Sequence, residues 1–262
     1  MVPNADARPL AVITGASAGL GKVFAQRLAA AGHDLALVAR DGGRLEALAA
    51  ELSVAHGISA APWPADLSRT ADVDALVARL RTHPRLAMLV NNAGFGTKGT
   101  LAKTDPSGQE RMLAVHVVAT NRLTQAALPG MLERGRGTII NVASVASFTV
   151  SQGNVNYCAT KTYIRTFSEA LALECAGRGV TIQALCPGFT YTEFHDRLGF
   201  DRGNVPTWLW MSAERVIDES LAAARAGGPV VVIPGKRYQL LVWLSKYVGW
   251  MLKPLQQRHR RD

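Results

Sequence analysis

The sequence predicts an α/β fold: a doubly wound parallel sheet of the Rossmann type, covered by helices on both faces. Short apolar runs rich in β-branched residues recur along the chain, and alanine- and leucine-rich segments with helical spacing lie between them. Alternation at this length indicates βαβ units with right-handed crossovers, and therefore a parallel sheet. No internal repeat, low-complexity block or proline- and serine-rich linker marks a boundary, so a single domain is expected.

Six apolar runs are predicted strands, at residues 10–14, 34–39, 86–91, 137–144, 180–186 and 229–234, and another strand is expected before Asp66. The segments FAQRLAAAG, RLEALAAEL, DVDALVARLR and AERVIDESLAAARAG are predicted helices. Ligands of such sheets bind at the carboxyl ends of the strands. The residues directly after each run are therefore the candidates for function.

The chain is expected to divide into a domain at residues 1–235 and a basic, amphipathic extension at 236–262. A substrate lid is expected at about residues 190–212 within the domain. The start, MVPNADARPLAVITG, lacks a basic region followed by a long apolar run, so no secretory signal is expected. The predicted location is cytoplasmic.

The charge distribution argues against a nucleic-acid partner. The formal net charge is +9, but residues 236–262 hold seven lysines and arginines against one aspartate, which is +6 of that total. No zinc-finger or RNA-binding signature accompanies this excess. The three cysteines show no CxxC spacing, so neither a disulfide framework nor a metal site is expected, and they are predicted to be small buried residues.

A glycine-rich loop, TGASAGLG at residues 14–21, comes after the first predicted strand and opens a helix. Glycines at 15, 19 and 21 let the backbone turn tightly and approach a pyrophosphate, which the N–H groups of the helix N-terminus then meet. The spacing differs from the common Gly-x-Gly-x-x-Gly. The context nevertheless predicts a dinucleotide site, whose residues are Gly15, Ser17, Gly19, Leu20 and Gly21.

The end of the second strand predicts the choice of cofactor. An NAD site uses a carboxylate there for the ribose 2′-hydroxyl, whereas an NADP site uses an arginine for the 2′-phosphate. Here Ala39 stands where the acid is expected and Arg40 is the next residue. Asp41 is the competing candidate, but its place before two glycines suits a helix cap. NADP(H) is therefore predicted in preference to NAD(H).

The stretch YCATK places Tyr157 and Lys161 four residues apart, on one face of a helix. Alone, this spacing is weak evidence, because many surface helices contain it by chance. Its meaning depends on the other motifs: Asp66-Leu67 after the third strand, NNAG (91–94) after the fourth, Ser144 after the fifth and PGFTYTEF (187–194) after the sixth.

Taken in order, these motifs resemble the short-chain dehydrogenase/reductase family in its short, single-domain branch. The resemblance runs from about residue 10 to about residue 234 and rests on five motifs in register.

The resemblance implies a role for each motif. It places Asp66 at the adenine, Asn91 near the cofactor ribose and Pro187 to Thr192 at the nicotinamide end. It makes Tyr157 the general acid, Lys161 its partner and a ribose ligand, and Ser144 the hydroxyl that holds the substrate carbonyl. The family is usually dimeric or tetrameric, so a homodimer or homotetramer is expected. Physical chemistry adds that a lysine ammonium near Tyr157, together with the positive charge of an oxidised nicotinamide, should lower the pKa of the phenol from about 10.

The sequence departs from the family at His116, which occupies a position where the family usually has an asparagine that helps to hold a proton-relay water. Asn121 is about 140° around the helix and cannot substitute from the same face. Two interpretations stay open. His116 could replace the asparagine in the relay and be a catalytic residue, or it could be a satisfied core histidine with impaired proton delivery.

Aromatic and aliphatic residues in the C-terminal part of the chain indicate the kind of substrate and the surfaces that this part could contact. Trp208 and Trp210 lie in the predicted lid and favour an apolar substrate, although they could equally pack on their own domain. The segment at 238–261 is apolar on a broad face and ends in basic residues. It suits an interfacial membrane contact, a cover over its own core or a dimer contact.

The predicted function is interconversion of a hydrophobic ketone or aldehyde and its alcohol with NADP(H). An NADP(H)-binding protein of weak activity, acting as a sensor or scaffold, is the alternative that His116 leaves open. A membrane-binding module would rest on the extension alone. An epimerase or dehydratase of a longer related branch is disfavoured by the loop spacing and by the lack of a large C-terminal substrate domain.

Overall fold

A computed structural model describes residues 8–97 and 99–247, without the side chains of residues 246 and 247. Its sheet has seven parallel strands in the order β3-β2-β1-β4-β5-β6-β7. The strands are β1 (Leu10–Thr14), β2 (Asp34–Ala39), β3 (Ala60–Pro64), β4 (Leu86–Asn91), β5 (Gly137–Val142), β6 (Val180–Leu185) and β7 (Val231–Val232). The predicted doubly wound Rossmann-type fold is confirmed.

Helices alternate with the strands. They are α1 (Gly19–Ala30), α2 (Gly42–His56), α3 (Thr70–Arg81), α4 (Pro106–Leu113), α5 (Thr120–Glu133), α6 (Val155–Glu174), α7 (Glu193–Arg197), α8 (Ala213–Arg225) and α9 (Lys236–Tyr247). A π-helical segment, Ala114–Ala119, joins α4 to α5. None of the helices in residues 8–97 and 99–247 is long and apolar enough to cross a bilayer.

Two apolar cores lie on opposite faces of the sheet. Helices α1, α2 and α8 cover one face, where Phe24, Leu45 and Ile217 are fully buried. Helices α3, α5 and α6 cover the other, where Leu123 and Met131 are buried against the strands. Because the strands are parallel, the carboxyl ends of β1, β4, β5 and β6 lie at one rim of the sheet. The predicted site residues lie directly after these strand ends.

The two edge strands differ most from the sequence prediction. β3 contains Pro62 and Pro64, which cannot donate to a sheet ladder and are tolerated because β3 is an edge strand. The run predicted as a strand at 229–234 forms only the two residues of β7, at the other edge. The three cysteines are buried and unbridged, as predicted.

The chain stays packed against the domain on both sides of the predicted boundary at residue 235. Tyr238, in the first turn of α9, is buried in the core under α8. A side chain at Gly188 would collide with its ring. Its hydroxyl accepts a hydrogen bond from Phe189 N (2.8 Å) and donates one to Leu209 O (2.6 Å). The first turn of α9 thus covers the core of its own domain, one of the three fates considered for this segment.

Candidate active site

The glycine-rich loop between β1 and α1 takes a conformation that needs its glycines. Gly15 and Gly19 have φ angles of 66° and 54°, in the left-handed region that favours glycine. Gly21 lies so close to the loop that an added Cβ would collide with Gly15 O and lie 2.6 Å from Asn92 Nδ2. The loop therefore folds back against the start of α1 as a compact backbone cradle.

Asn92, to which the sequence analysis gave no role of its own, ties this cradle to the next strand. Its Nδ2 donates to Thr14 O (2.9 Å) and Gly15 O (3.2 Å). The Thr14 hydroxyl accepts from the backbone N–H groups of Asn92 (2.9 Å) and Ala93 (3.0 Å). The signal for this clamp was the second asparagine of NNAG together with the threonine before the first glycine.

The start of α1 fits an anionic group. Its N-cap, Ala18, has no side chain that could bond the first N–H groups, and the first turn contains no acidic residue. Ser17 and Leu20 are only partly buried there. A helix N-terminus without a side-chain cap favours a phosphate both through its N–H groups and through the helix dipole. The cradle thus fits the pyrophosphate of a dinucleotide.

A second cluster lies at the ends of β2 and β3. Arg40 is exposed after β2, and Asp66 lies close enough to feel its charge. Burial acts to raise the pKa of Asp66, but hydrogen bonds from Ser68 and the charges of Arg40 and Arg69 lower it overall. Asp66 Oδ1 accepts from Ser68 N (2.9 Å) and Ser68 Oγ (2.8 Å).

Asp41 has the capping role that its position predicted. Its carboxylate accepts a hydrogen bond from Arg44 N at 3.0 Å as the N-cap of α2. The Arg44 guanidinium lies 3.5 Å from Glu193 of α7. Arg44 also pairs with Asp41 at 3.4 Å, so it links the lid to the start of α2 at this end of the site.

Asn91 lies deeper than the cleft. It is buried, and its Nδ2 donates to Thr124 Oγ1 (3.0 Å) and Asn141 Oδ1 (2.8 Å), which joins β4 to α5 and β5. Its Oδ1 has no hydrogen-bond partner within the described residues. The amide nitrogen is thus committed to the fold, and the contact with a cofactor ribose stays a prediction.

Ser144, Tyr157 and Lys161 come together beside the end of β5. Ser144 caps a short 3₁₀ turn, accepting from Ala146 N at 3.1 Å and lying 3.5 Å from Pro187 O, and it is close enough to the Tyr157 phenol to lower the pKa of that group. Lys161 is buried and donates to Val142 O at 2.8 Å, with its Nζ 5.8 Å from the centre of the Tyr157 ring.

The pKa values of Tyr157 and Lys161 differ from the expectation that Lys161 lowers the pKa of the tyrosine. Burial raises the pKa of Tyr157 to about 12, and the hydrogen bond from Ser144 only partly opposes this rise. Burial lowers the pKa of Lys161 to about 8. The expected lowering of the tyrosine pKa by Lys161 is therefore absent here, because burial leaves Lys161 uncharged in the pH range where Tyr157 would lose its proton.

His116 is buried in the π-helical segment with both ring nitrogens in hydrogen bonds. Nε2 lies 3.0 Å from Phe95 N, which can only donate, so Nε2 carries no proton. Nδ1 then donates to Thr160 Oγ1 at 2.9 Å, and this hydroxyl donates to Tyr157 O at 3.0 Å. Burial, with the charge of Lys161 as the second cause, holds the pKa of His116 well below its usual 6.5.

This arrangement is that of a satisfied core histidine. A proton relay through the ring would require one of the two hydrogen bonds to break. Gly94 makes room for the larger residue, since an added Cβ would lie 2.8 Å from His116 Nε2. Asn121 donates to the Tyr163 hydroxyl at 3.2 Å, away from this group, as its position on the helix predicted.

The stretch Pro187 to Thr192 connects the rim of the sheet to the lid. Pro187 O accepts from Val145 N at 2.9 Å, beside Ser144. Thr192 caps α7, and its Cβ would lie 3.3 Å from a side chain at Gly19. The predicted nicotinamide-end residues therefore lie between the glycine loop and the Ser144–Tyr157 group.

The lid brings aromatic residues onto this group. Phe194 of α7 lies 5.9 Å from the Tyr157 ring, centre to centre. Trp210 is buried and stacks on Tyr191 at 5.0 Å, so it packs on its own domain, whereas Trp208 is exposed. Phe194 is the lid residue that the sequence analysis missed, although it belongs to the quoted motif PGFTYTEF.

Comparison with known proteins identifies the family of the chain. The family model described as short chain dehydrogenase matches residues 9–202. The 2-(S)-hydroxypropyl-CoM dehydrogenase 3 of Xanthobacter autotrophicus is 38% identical over 177 residues, which are 67% of this chain and 69% of that protein.

Two solved structures share the fold over nearly the whole chain. A short-chain dehydrogenase from Sphingobium yanoikuyae in complex with NADPH has a TM-score of 0.84 and 35% identity, covering 97% of this chain and 95% of the other. The bulky-bulky ketone specific alcohol dehydrogenase from Comamonas testosteroni has a TM-score of 0.78 and 31% identity, covering 93% of each chain. The glycine cradle, the Ser144–Tyr157–Lys161 group and these matches together show that the chain belongs to the short-chain dehydrogenase family of oxidoreductases.

Proposed function

We propose that the protein interconverts a hydrophobic ketone or aldehyde and its alcohol with NADP(H), with Tyr157 as the general acid and base. The observation that carries the proposal is the convergence of Ser144, Tyr157 and Lys161 beside the glycine cradle, under the lid. When bound, the cofactor supplies the hydride for the carbonyl carbon or accepts it from the alcohol.

The residues of the chain would handle the proton and the oxygen. The Ser144 hydroxyl holds the carbonyl oxygen, and the Tyr157 phenol donates its proton to that oxygen as charge develops on it. A tyrosine with a pKa of about 12 is fully protonated near neutral pH, so reduction begins from the correct protonation state. In the reverse direction Tyr157 must lose its proton, so alcohol oxidation should speed up as pH rises.

The preference for NADP(H) is supported by the cations at the ends of β2 and β3. Arg40 is exposed there, with Arg44 and Arg69 nearby, and Ala39 offers no carboxylate for a ribose 2′-hydroxyl. Asp41 is occupied as the cap of α2. The neighbour from Sphingobium yanoikuyae, solved in complex with NADPH, is consistent with this preference.

An apolar substrate is supported by the lid. Phe194 covers the Tyr157 ring, and Leu198 lies near Gly96, where an added Cβ would be 2.9 Å from it. The neighbour from Comamonas testosteroni is described as specific for bulky-bulky ketones. Apolar walls around a few polar groups are typical of small-molecule sites.

The first test measures NADPH oxidation against a panel of apolar ketones, aldehydes and 3-oxoacyl thioesters. Replacing Tyr157 with Phe removes only the hydroxyl, so kcat should fall by about 10²–10⁴-fold while NADPH affinity stays close to that of the native protein. Fluorescence titration with NADPH is the control. Turnover that survives Tyr157→Phe would contradict the proposed acid.

The second test concerns the cofactor. Arg40→Ala should raise KM for NADPH about 10- to 100-fold through loss of a charged hydrogen bond, with KM for NADH nearly unchanged. Arg178→Ala is the matched control, because Arg178 precedes β6 at the opposite rim of the sheet. Tighter binding of NADH than of NADPH by the native protein would reject the preference.

A second candidate is an NADP(H)-binding sensor or scaffold of weak activity. It is favoured by one observation, that both nitrogens of His116 are already bonded and leave no free ring atom for a relay. Tight NADPH binding without turnover on any member of the panel would favour it over the reductase.

A further inference from the structure

Beyond its first turn, helix α9 exposes several large apolar residues. Tyr238 is held under α8, but Leu240, Leu241 and Leu244 are 56%, 39% and 38% exposed, and Trp243 is 55% exposed. A helix that carries large apolar residues over most of its surface is ordinarily covered. In the described part of the chain, Leu240, Leu241 and Leu244 therefore form a surface suited to a partner.

The same face begins with a cation. Residues 236, 240 and 244 are four apart, so Lys236, Leu240 and Leu244 lie along one side of the helix. A cation beside exposed leucines can meet the headgroups of a bilayer while the apolar side chains enter the lipid.

A basic cavity lies at the base of α9. It has a volume of about 390 Å³ and is lined by Arg215, Glu219, Gly235, Lys236, Arg237 and Gln239. The single carboxylate is fully engaged, since Glu219 accepts from Arg215 Nε (2.9 Å) and Gly235 N (2.8 Å).

The other two cations of the cavity lack an acidic partner. Arg237 donates to Trp210 O at 2.9 Å, and within residues 8–97 and 99–247 no carboxylate forms an ion pair with Lys236 or Arg237. The cavity therefore presents positive charge beside the apolar face.

The charge of this segment favours an anionic bilayer over a second copy of the chain as the partner of this face. Residues 236–262 contain seven lysines and arginines and one aspartate, a net charge of +6. A second copy docked through α9 would bring an equal positive charge against this one, which is unfavourable. An anionic bilayer instead attracts each basic residue, and it also accepts the leucines.

We propose that Leu240, Leu241 and Leu244, together with the basic cavity at the base of α9, form a docking surface for the face of an anionic lipid bilayer. Since Tyr238 bonds Phe189 and Leu209, docking would hold the lid next to the lipid. The proposal concerns binding and stands whether or not the proposed reduction is found.

The test is co-flotation of the full chain with vesicles of phosphatidylcholine alone, or with about 30% phosphatidylserine, at low and high salt. We expect binding to the anionic vesicles that weakens with salt. Leu240→Ser combined with Leu244→Ser should weaken binding by at least about tenfold, and Lys236→Gln by about fivefold. Val54→Ser is the matched control, because Val54 is 88% exposed on α2, and it should change nothing.

Three flotation results would overturn the proposal: no flotation with anionic vesicles, equal flotation with neutral vesicles, or leucine variants that bind as well as the native chain. Sedimentation equilibrium of the same proteins tests the alternative that a second copy of the chain covers this face. If Leu240→Ser with Leu244→Ser dissociates an oligomer, the face is covered by a second copy and not by lipid. All the substituted residues are exposed, so a thermal midpoint equal to that of the native chain verifies folding.

Discussion

At Tyr157, burial and hydrogen bonding act in opposite directions on the pKa of the phenol. Burial dominates and raises it to about 12, while Ser144 pulls it down. The spacing to Lys161 suggested the reverse, because a nearby ammonium favours phenolate. Burial lowers the pKa of Lys161 itself to about 8, so Lys161 is uncharged where the phenol would titrate, and the protein alone holds Tyr157 as an acid.

Two substitutions at His116 test whether catalysis needs a polar side chain at this position. In His116→Asn the amide oxygen can accept the hydrogen bond from Phe95 N, whereas His116→Leu leaves this N–H buried without a partner, at a cost of about 1–3 kcal/mol. We expect turnover close to native or higher for the asparagine variant and at least about tenfold lower for the leucine variant. NADPH affinity should be unchanged in both.

The measurement is kcat and KM on one substrate, with NADPH titration as the control for folding of the site. Equal turnover for the two variants would show that the polar group at residue 116 has no part in catalysis. A loss of NADPH affinity in His116→Leu would indicate general damage to the site.

At the scale of elements, the junction of β1, α1 and β4 builds the cofactor cradle. Thr14 and Asn92 lock the glycine loop to β4, and Gly21 allows α1 to start close to the loop backbone. The positions of these elements, more than any one side chain, expose the N-terminus of α1 to a phosphate.

Gly21→Ala should therefore impair both stability and cofactor binding. Its methyl group would collide with Gly15 O and crowd Asn92 Nδ2, which we expect to cost about 1–3 kcal/mol in the free energy of unfolding. NADPH affinity should fall by at least about tenfold, because the cradle must open. Urea unfolding and NADPH titration measure the two effects.

Gly43→Ala is the matched control, since Gly43 also lies in the first turn of a helix that comes after a strand. A Cβ there meets only Asp41 Oδ1, at 3.7 Å, so alanine should stabilise α2 by about 0.5–1 kcal/mol. If both variants bound NADPH normally, the close approach at Gly21 would not matter for the cofactor.

At the scale of the whole molecule, histidines that are partly or fully buried make stability depend on pH. Burial lowers the pKa values of His33, His83, His116 and His195, that of His116 most strongly. Such groups bind more protons in the unfolded chain than in the folded one, so acid favours unfolding. The free energy of unfolding should fall as the pH drops through about 6.5, the usual histidine value.

The contribution of His116 can be isolated with variants. Below about pH 6 it should supply a slope of about 1.4 kcal/mol per pH unit, which His116→Asn should remove. Urea unfolding at about pH 7.5, 6.5 and 5.5 measures this slope. An unchanged slope in His116→Asn would contradict the burial argument.

Sequence patterns were sufficient to predict the α/β class, most of the strands and helices, and the group of motifs at one rim of the sheet. These are local properties, because hydrophobic periodicity and glycine placement reflect the geometry of single helices, strands and turns. The sequence also identified Asp41 as a cap, since capping needs only the next three residues. Strand β3 was predicted only through the Asp66-Leu67 motif after it, because prolines at an edge strand hide the usual signal.

How the side chains share their partners emerged only from tertiary packing. In the folded protein both nitrogens of His116 are hydrogen-bonded, and Lys161 donates to Val142 O. Phe194 lies over Tyr157. Packing also set Tyr238 against Gly188, which made the first turn of α9 part of the domain and left the next leucines exposed. These features depend on residues distant in the chain, and burial and hydrogen-bond competition are set only when the elements pack.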